Sequence, residues 1–152
     1  RLYWSLRMLV ATAGAIPWLF AAAQSRPVAA VALFHGLCHQ LPEKTLCIGG
    51  VAMLVCSRCA GIYAGVALGA LVPAPRSWCP ASRQLLLAAA LPLLADVILQ
   101  ATGMIPILHA TRLATGALAG WVASALLFAW LRLERSRAER SAANPISRGG
   151  DA

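Results

Sequence analysis

Residues 112–131 read RLATGALAGWVASALLFAWL and carry one charge, Arg112, at their first position. At a rise of about 1.5 Å per residue, a helix of this length is about 30 Å long, which matches the hydrocarbon core of a bilayer. Gly116 and Gly120 are four residues apart and form a stripe on which another backbone can pack closely. The stretch therefore predicts a transmembrane helix packed against a second helix.

The composition of the whole chain indicates a membrane protein. Its 152 residues are 60% hydrophobic and 12% charged, whereas soluble domains carry about 25% charge. The ends of the chain hold ten of the 18 charges, so only eight fall between residues 8 and 131. The net charge of +8 lies in loops and in the tail, which argues against a nucleic-acid-binding face.

The apolar segments predict an all-α membrane protein with four transmembrane helices. We expect the spans at about residues 6–23, 55–73, 83–101 and 112–131, within a single polytopic domain over residues 1–131. Residues 28–38 are too few to cross a bilayer and predict one short re-entrant or interfacial helix. If residues 28–38 cross the bilayer instead, the chain has five spans, and this is the alternative. Residues 132–152 predict a basic, disordered cytoplasmic tail.

The distribution of Lys and Arg predicts the orientation of these spans. With four spans, nine basic residues lie on the side of both termini and four on the other side, so both termini are expected in the cytoplasm. The loop from Cys38 to Cys59 then lies at the outer face. The end of the third span, with Asp96 and Gln100, and the start of the fourth, with Arg112, lie at the same face.

Four cysteines fall within 22 positions of this loop, as Cys38-His39, Cys47 and Cys56-Ser-Arg-Cys59. Three interpretations stay open. Cys38, His39, Cys56 and Cys59 could hold zinc, since three sulfurs and one imidazole are a common tetrahedral set. The CxxC pair could instead exchange electrons with another thiol; four-span quinone-linked thiol oxidases share only the architecture. The thiols could also be purely structural.

Asp96 is the only carboxylate inside an apolar span, where an ionisable group is costly unless it is paired. Gln100 lies one helical turn later on the same face, and Arg112 is the expected partner of Asp96 across a short loop. Arg58, between the paired cysteines, is expected to lower their thiol pKa values. Either a small-ligand pocket or a structural ion pair fits this cluster.

Two sequence elements together resemble a bacterial membrane-protein family, domain of unknown function 2085. The first is Cys38-His-Gln-Leu-Pro-Glu43, and the second is Cys56-Ser-Arg-Cys-Ala-Gly-Ile-Tyr-Ala-Gly65. Asp96, Gln100-Ala-Thr-Gly103 and Arg112 also fit the family pattern, whereas Cys47 and Cys79 lie outside it. The resemblance implies a small multi-span protein of the bacterial inner membrane. It groups the matched polar residues as one unit and names no reaction.

The sequence thus predicts a small integral membrane protein with an outward-facing Cys/His metal site, backed by Arg58, Asp96, Gln100 and Arg112. A membrane thiol-disulfide oxidoreductase is the alternative. A third hypothesis is a non-catalytic subunit that docks on a membrane partner through one of two glycine stripes: Gly61, Gly65 and Gly69, or Gly116 and Gly120. No motif for a nucleotide or haem is present in the sequence.

Overall fold

The structure, a computed structural model, describes residues 2–72, 75, 78 and 82–143. In this part of the chain the helices are α1 (Leu2–Ala22), α2 (Val28–His35), α3 (Ser57–Leu71), α4 (Ser82–Ala101) and α5 (His109–Ala143). Helices α1, α4 and α5 are long and apolar enough to cross a membrane, whereas α3 has 15 residues and falls short of that length. The fold is therefore mostly helical with three candidate spans. The fourth predicted span, 55–73, corresponds to a shorter helix.

Helices α3 and α5 pack through the two predicted glycine stripes. A Cβ on Gly65 would lie 2.1 Å from the carbonyl oxygen of Ala117, and one on Gly120 would lie 2.3 Å from that of Ile62. Backbones approach this closely only where side chains are missing. The stripes were predicted both to pack the bundle and to offer a docking face for a partner. The first prediction is confirmed; the second is wrong, because each stripe is already covered by the other helix.

The contacts between helices fix their relative directions. Gly61 contacts Leu113 and Gly69 contacts Trp121, so α3 and α5 run parallel. Helix α1 runs opposite to both, since Trp18 donates to the carbonyl of Ala60 near the start of α3. Helix α4 also runs opposite to α3, because Asp96 near its end pairs with Arg58. The ends of α1 and α4 therefore lie at the same end of the bundle as the starts of α3 and α5.

A two-stranded antiparallel sheet lies at this end of the bundle, an element that the prediction of an all-α protein did not include. Strand β1 (Thr45–Ile48) pairs with β2 (Val51–Cys56). Gly49 and Gly50 form the turn, with φ angles of +59° and +82°, which glycine adopts without steric cost. Met53, Leu54 and Val55 are almost fully buried. The hairpin thus anchors the loop on the helices.

The lengths of two helices bear on the sequence predictions. Helix α2 has eight residues, about 12 Å at 1.5 Å per residue, which fits the predicted short helix and is too short for the crossing that the five-span alternative requires. Helix α5 continues to Ala143, so the predicted disordered tail is helical for its first twelve residues. Pairs of opposite charge at helical spacing, Arg135 with Glu139 and Arg137 with Glu134, support this extension. Arg76, Cys79 and residues 144–152 lie outside the described residues.

Candidate metal centre

Three thiols meet where the hairpin joins the helices. The sulfur atoms of Cys38, Cys56 and Cys59 all lie within 4.8 Å of one another. None of the three forms a disulfide. Cys38 is buried, and Cys56 and Cys59 are half-buried. Cys38, which is 18 positions before Cys56 in the sequence, is therefore brought to the CxxC pair.

The local structure explains how each sulfur reaches this point. Cys38 follows α2, and its N–H donates to the carbonyl of Phe34 at 2.9 Å, which closes the last turn. Cys56 ends β2 and precedes the first residue of α3. Cys59 lies in the first turn of that helix, so the two sulfurs of the CxxC pair are adjacent. The backbone N–H of Cys56 donates to the sulfur of Cys38 at 3.3 Å and holds the third thiol in place.

The spacing of the sulfurs fits a metal ion. Zinc–thiolate bonds of about 2.3 Å in a tetrahedral arrangement separate the sulfurs by about 3.8 Å. The observed upper limit of 4.8 Å therefore leaves shifts of about 1 Å or less, which side-chain rotation can supply. Three thiolates form a soft donor set that suits zinc better than magnesium or calcium.

A cavity of about 290 Å³ opens directly onto the three sulfurs. His39 lines this cavity, but it is exposed and is not part of the sulfur cluster. Cys47 lies on the exposed side of the hairpin, apart from this site. The structure therefore brings together three of the four predicted ligands.

Hydrogen bonds within the cluster stabilise a thiolate at Cys56. The Cys59 thiol donates to the Cys56 sulfur and, against the opposing effect of burial, lowers the pKa of Cys56 from 9.0 to about 4. Cys38 and Arg112 contribute in the same direction. The sequence predicted Arg58 as the residue that acts on the thiols, and this is wrong: the cation at the sulfur is Arg112.

Arg58 points instead to Asp96, with which it forms an ion pair. The predicted pair of Asp96 with Arg112 is therefore wrong, although the two residues are linked through Gln100. The Gln100 amide donates to Asp96 at 2.7 Å and accepts from Arg112 at 2.7 Å. Because Asp96 and Arg112 are both buried, this network leaves neither charge isolated in an apolar bundle. Arg112 belongs to this network and also lines the cavity at the cysteines, so the two groups of residues lie side by side.

A match to a family model covers residues 38–126, and the family is described as "Predicted membrane protein (DUF2085)". The chain belongs to this family. An uncharacterized protein of the archaeon Methanocaldococcus jannaschii is 31% identical over 100 residues, which cover 59% of this chain and 60% of the relative. The chain thus spans about three-fifths of that relative's length. No solved structure is significantly similar to this chain.

Two further residues of the DUF2085 segment belong to the site and were not predicted from the sequence. Ser57 is fully buried; its hydroxyl accepts from the Nε of Arg112 at 3.1 Å and donates to the carbonyl of Lys44 at 3.1 Å. Lys44 also lines the cavity beside the sulfurs. The sequence did offer a signal for Ser57. It lies inside the CxxC pair, and a polar side chain that is buried there needs a hydrogen-bond partner. No motif in the sequence pointed to Lys44.

Proposed function

We propose that this protein is a small integral membrane protein that binds one metal ion, zinc, through the thiolates of Cys38, Cys56 and Cys59. The observation that carries the proposal is the meeting of three sulfurs within 4.8 Å of one another. His39, or a ligand held in the adjoining cavity, completes the four-coordinate set. When bound, zinc supplies a Lewis acid if its fourth position stays open, and a structural crosslink if His39 closes it.

The surroundings of the sulfurs support a bound cation. Three thiolates carry three negative charges, and zinc with Arg112 supplies three positive ones beside them. Arg112 is held in this position by Gln100 and Ser57, so its guanidinium is oriented before any ion arrives. Asp96, which pairs with Arg58, accepts a hydrogen bond from the Gln100 amide and holds it in place. We assign these residues a supporting role around the metal.

Zinc content in matched variants tests this proposal. The full-length protein, purified in mild detergent in a Cys79→Ser background, should hold one zinc per chain by elemental analysis. Cys56→Ser should lose the zinc, because two thiolates bind it far more weakly than three. Cys47→Ser changes a cysteine of the same loop that lies apart from the cluster, and it should retain the metal. Equal and negligible zinc, iron and copper in all three proteins would overturn the proposal.

A thiol-disulfide oxidoreductase is the second candidate, and the lowered pKa of Cys56 favours it, since thiolates are the attacking species. Oxidation would join two of the three thiols and pass two electrons to an acceptor such as a membrane quinone. The discriminating measurement is thiol counting on protein isolated from its native membrane. A disulfide within the cluster that is reduced and reformed during turnover would favour this candidate. Three thiols that become reactive only after chelation would favour the metal site.

We also propose the arrangement in the membrane. Helix α3, although short, runs through the bundle as a fourth segment, covered by α1 and α5. Both termini then lie in the cytoplasm and the thiol cluster at the outer face of the cytoplasmic membrane. The excess of Lys and Arg on the side of the termini supports this orientation.

A further inference from the structure

A second cavity, of about 210 Å³, lies on the other side of Arg112 from the thiols. Its polar lining residues are Lys44, Arg58, Gln100 and Arg112, and its apolar ones are Val97, Ala101 and Ile107. Lys44 and Arg112 also line the first cavity. These two residues therefore form a wall shared by the thiol site and a separate chamber that contains no cysteine.

The charges around this second cavity are unbalanced. Three cationic side chains line it, and Asp96 is the one carboxylate that pairs with any of them in the described part of the chain. Arg112 bonds to the neutral side chains of Ser57 and Gln100 and lies beside the Cys56 sulfur, whereas Lys44 has no ion pair among the described residues. Cations gathered at a partly buried site are costly unless an anion offsets them. The local net charge therefore favours a bound anion.

One of the side chains that line this cavity also carries a donor without an acceptor. The Nε of Arg58 is buried and has no hydrogen-bond partner within the described ranges, although the end of the same guanidinium is engaged by Asp96. Buried donors without partners are rare in native structures and call for an explanation such as a missing ligand. An arginine with one free edge is suited to anionic oxygens, which it binds in a planar geometry.

We infer that the second cavity is a binding site for a small oxyanion, either a carboxylate or a phosphate group, held by Lys44, Arg58 and Arg112. The apolar side formed by Val97, Ala101 and Ile107 would take a short hydrocarbon part of the same ligand. The volume of about 210 Å³ fits an anionic group together with a few further heavy atoms. This inference does not depend on a metal at the thiols.

The test uses the full-length chain in nanodiscs of zwitterionic phosphatidylcholine. The midpoint of thermal unfolding is followed against acetate, phosphate and chloride at constant ionic strength, and an apparent Kd is obtained from the rise. Lys44→Gln removes one lining cation, and Lys44→Arg retains the charge. Arg26→Gln is the matched control, because it removes one exposed positive charge from the same end of the bundle without changing the cavity.

Acetate or phosphate should raise the midpoint more than chloride does. Lys44→Gln should weaken the apparent Kd at least about tenfold, as expected for the loss of one hydrogen bond from a charged group. Lys44→Arg and Arg26→Gln should stay within about threefold of the wild type. Cys38→Ser, which changes only the first cavity, should keep the anion effect. An effect equal for all three salts, or unchanged in Lys44→Gln, or lost in Cys38→Ser, would overturn the inference.

The source of the oxyanion is distinguished by a lipid arm of the same experiment. Nanodiscs that contain phosphatidylglycerol, without added acetate or phosphate, present a phosphate only as a headgroup. Stabilisation of the wild type but not of Lys44→Gln in these discs would support the site and identify a lipid headgroup as its ligand. Stabilisation only by soluble acetate or phosphate would support it with a free small molecule as the ligand.

Discussion

Arg58 and Asp96 form an ion pair that joins the first turn of α3 to the last turns of α4. The pair is well shielded, with 18% of the Arg58 side chain and 5% of the Asp96 side chain exposed. Arg58 lies between the two cysteines of the CxxC pair. The same short segment therefore supplies two sulfurs to the thiol cluster and a cation to the neighbouring helix, which couples the position of α4 to that of the site.

This pair should show strong coupling in a double-mutant cycle. Asp96→Leu leaves Arg58 as an uncompensated charge and should lower the free energy of unfolding by about 3 to 5 kcal/mol. Arg58→Met should have a similar effect, because it leaves the Asp96 carboxylate without its ion-pair partner. The double variant should lose less than the sum of the two, because it buries neither charge. Unfolding in mild detergent with increasing SDS measures all four proteins, and additive losses would contradict a direct pair.

The contact between α3 and α5 should not tolerate a side chain at Gly65. Its Cβ would lie 2.1 Å from the carbonyl oxygen of Ala117, so Gly65→Ala should push the helices apart and cost about 1 to 3 kcal/mol of stability. Gly36→Ala is the control, since its nearest neighbour would be 3.8 Å away and its φ is −65°. Equal stability of the two variants would argue against the close packing of these helices.

Removing the hydroxyl of Ser57 should destabilise the site without changing its charge. Ser57→Ala takes a hydrogen-bond partner from the Nε of Arg112 and another from the carbonyl of Lys44. Leaving such buried groups unpaired costs about 1 to 3 kcal/mol. Thr102→Ala, which removes an exposed hydroxyl bonded within its own helix, should be nearly neutral. A thermal unfolding midpoint for Ser57→Ala equal to that of the control would refute the role given to this hydroxyl.

The proposed orientation predicts which cysteine is labelled from outside the cell. In a Cys79→Ser background, the exposed Cys47 should react with a membrane-impermeant maleimide on intact cells. A cysteine introduced as Ser141→Cys, near the end of α5, should react only after the membrane is permeabilised. The opposite pattern would place the thiol site in the cytoplasm and invert the topology.

The helices of the bundle were predictable because a long apolar run indicates a membrane-crossing helix and a glycine stripe indicates where another backbone packs closely. Helices α1, α4 and α5 begin and end within three residues of their predicted limits, with two exceptions. Helix α1 begins earlier than predicted, and helix α5 ends later. The convergence of the cysteines with Asp96, Gln100 and Arg112 followed from alternating span directions alone. Each of these predictions rests on a property of a single segment or on the number of crossings.

The errors arose where pairing between segments decides the outcome. Strands β1 and β2 flank Gly49-Gly50, a recognised hairpin signal, but residues 51–54 were assigned to a loop and residues 55 and 56 to the start of a predicted span. Arg58 and Arg112 both lie at the end of the bundle that Asp96 reaches, so sequence spacing could not decide between them. The partner of Asp96 depends on which face each helix turns to its neighbour.

The coordination of zinc in the purified protein tests the central claim most directly. X-ray absorption at the zinc edge should show three sulfur atoms at about 2.3 Å and one lighter atom, oxygen or nitrogen, at about 2.0 Å. In Cys47→Ser the spectrum should be unchanged, and in His39→Ala the three sulfur contacts should persist. A first shell with only oxygen and nitrogen, or with three sulfurs still present in Cys38→Ser, would contradict binding by Cys38, Cys56 and Cys59.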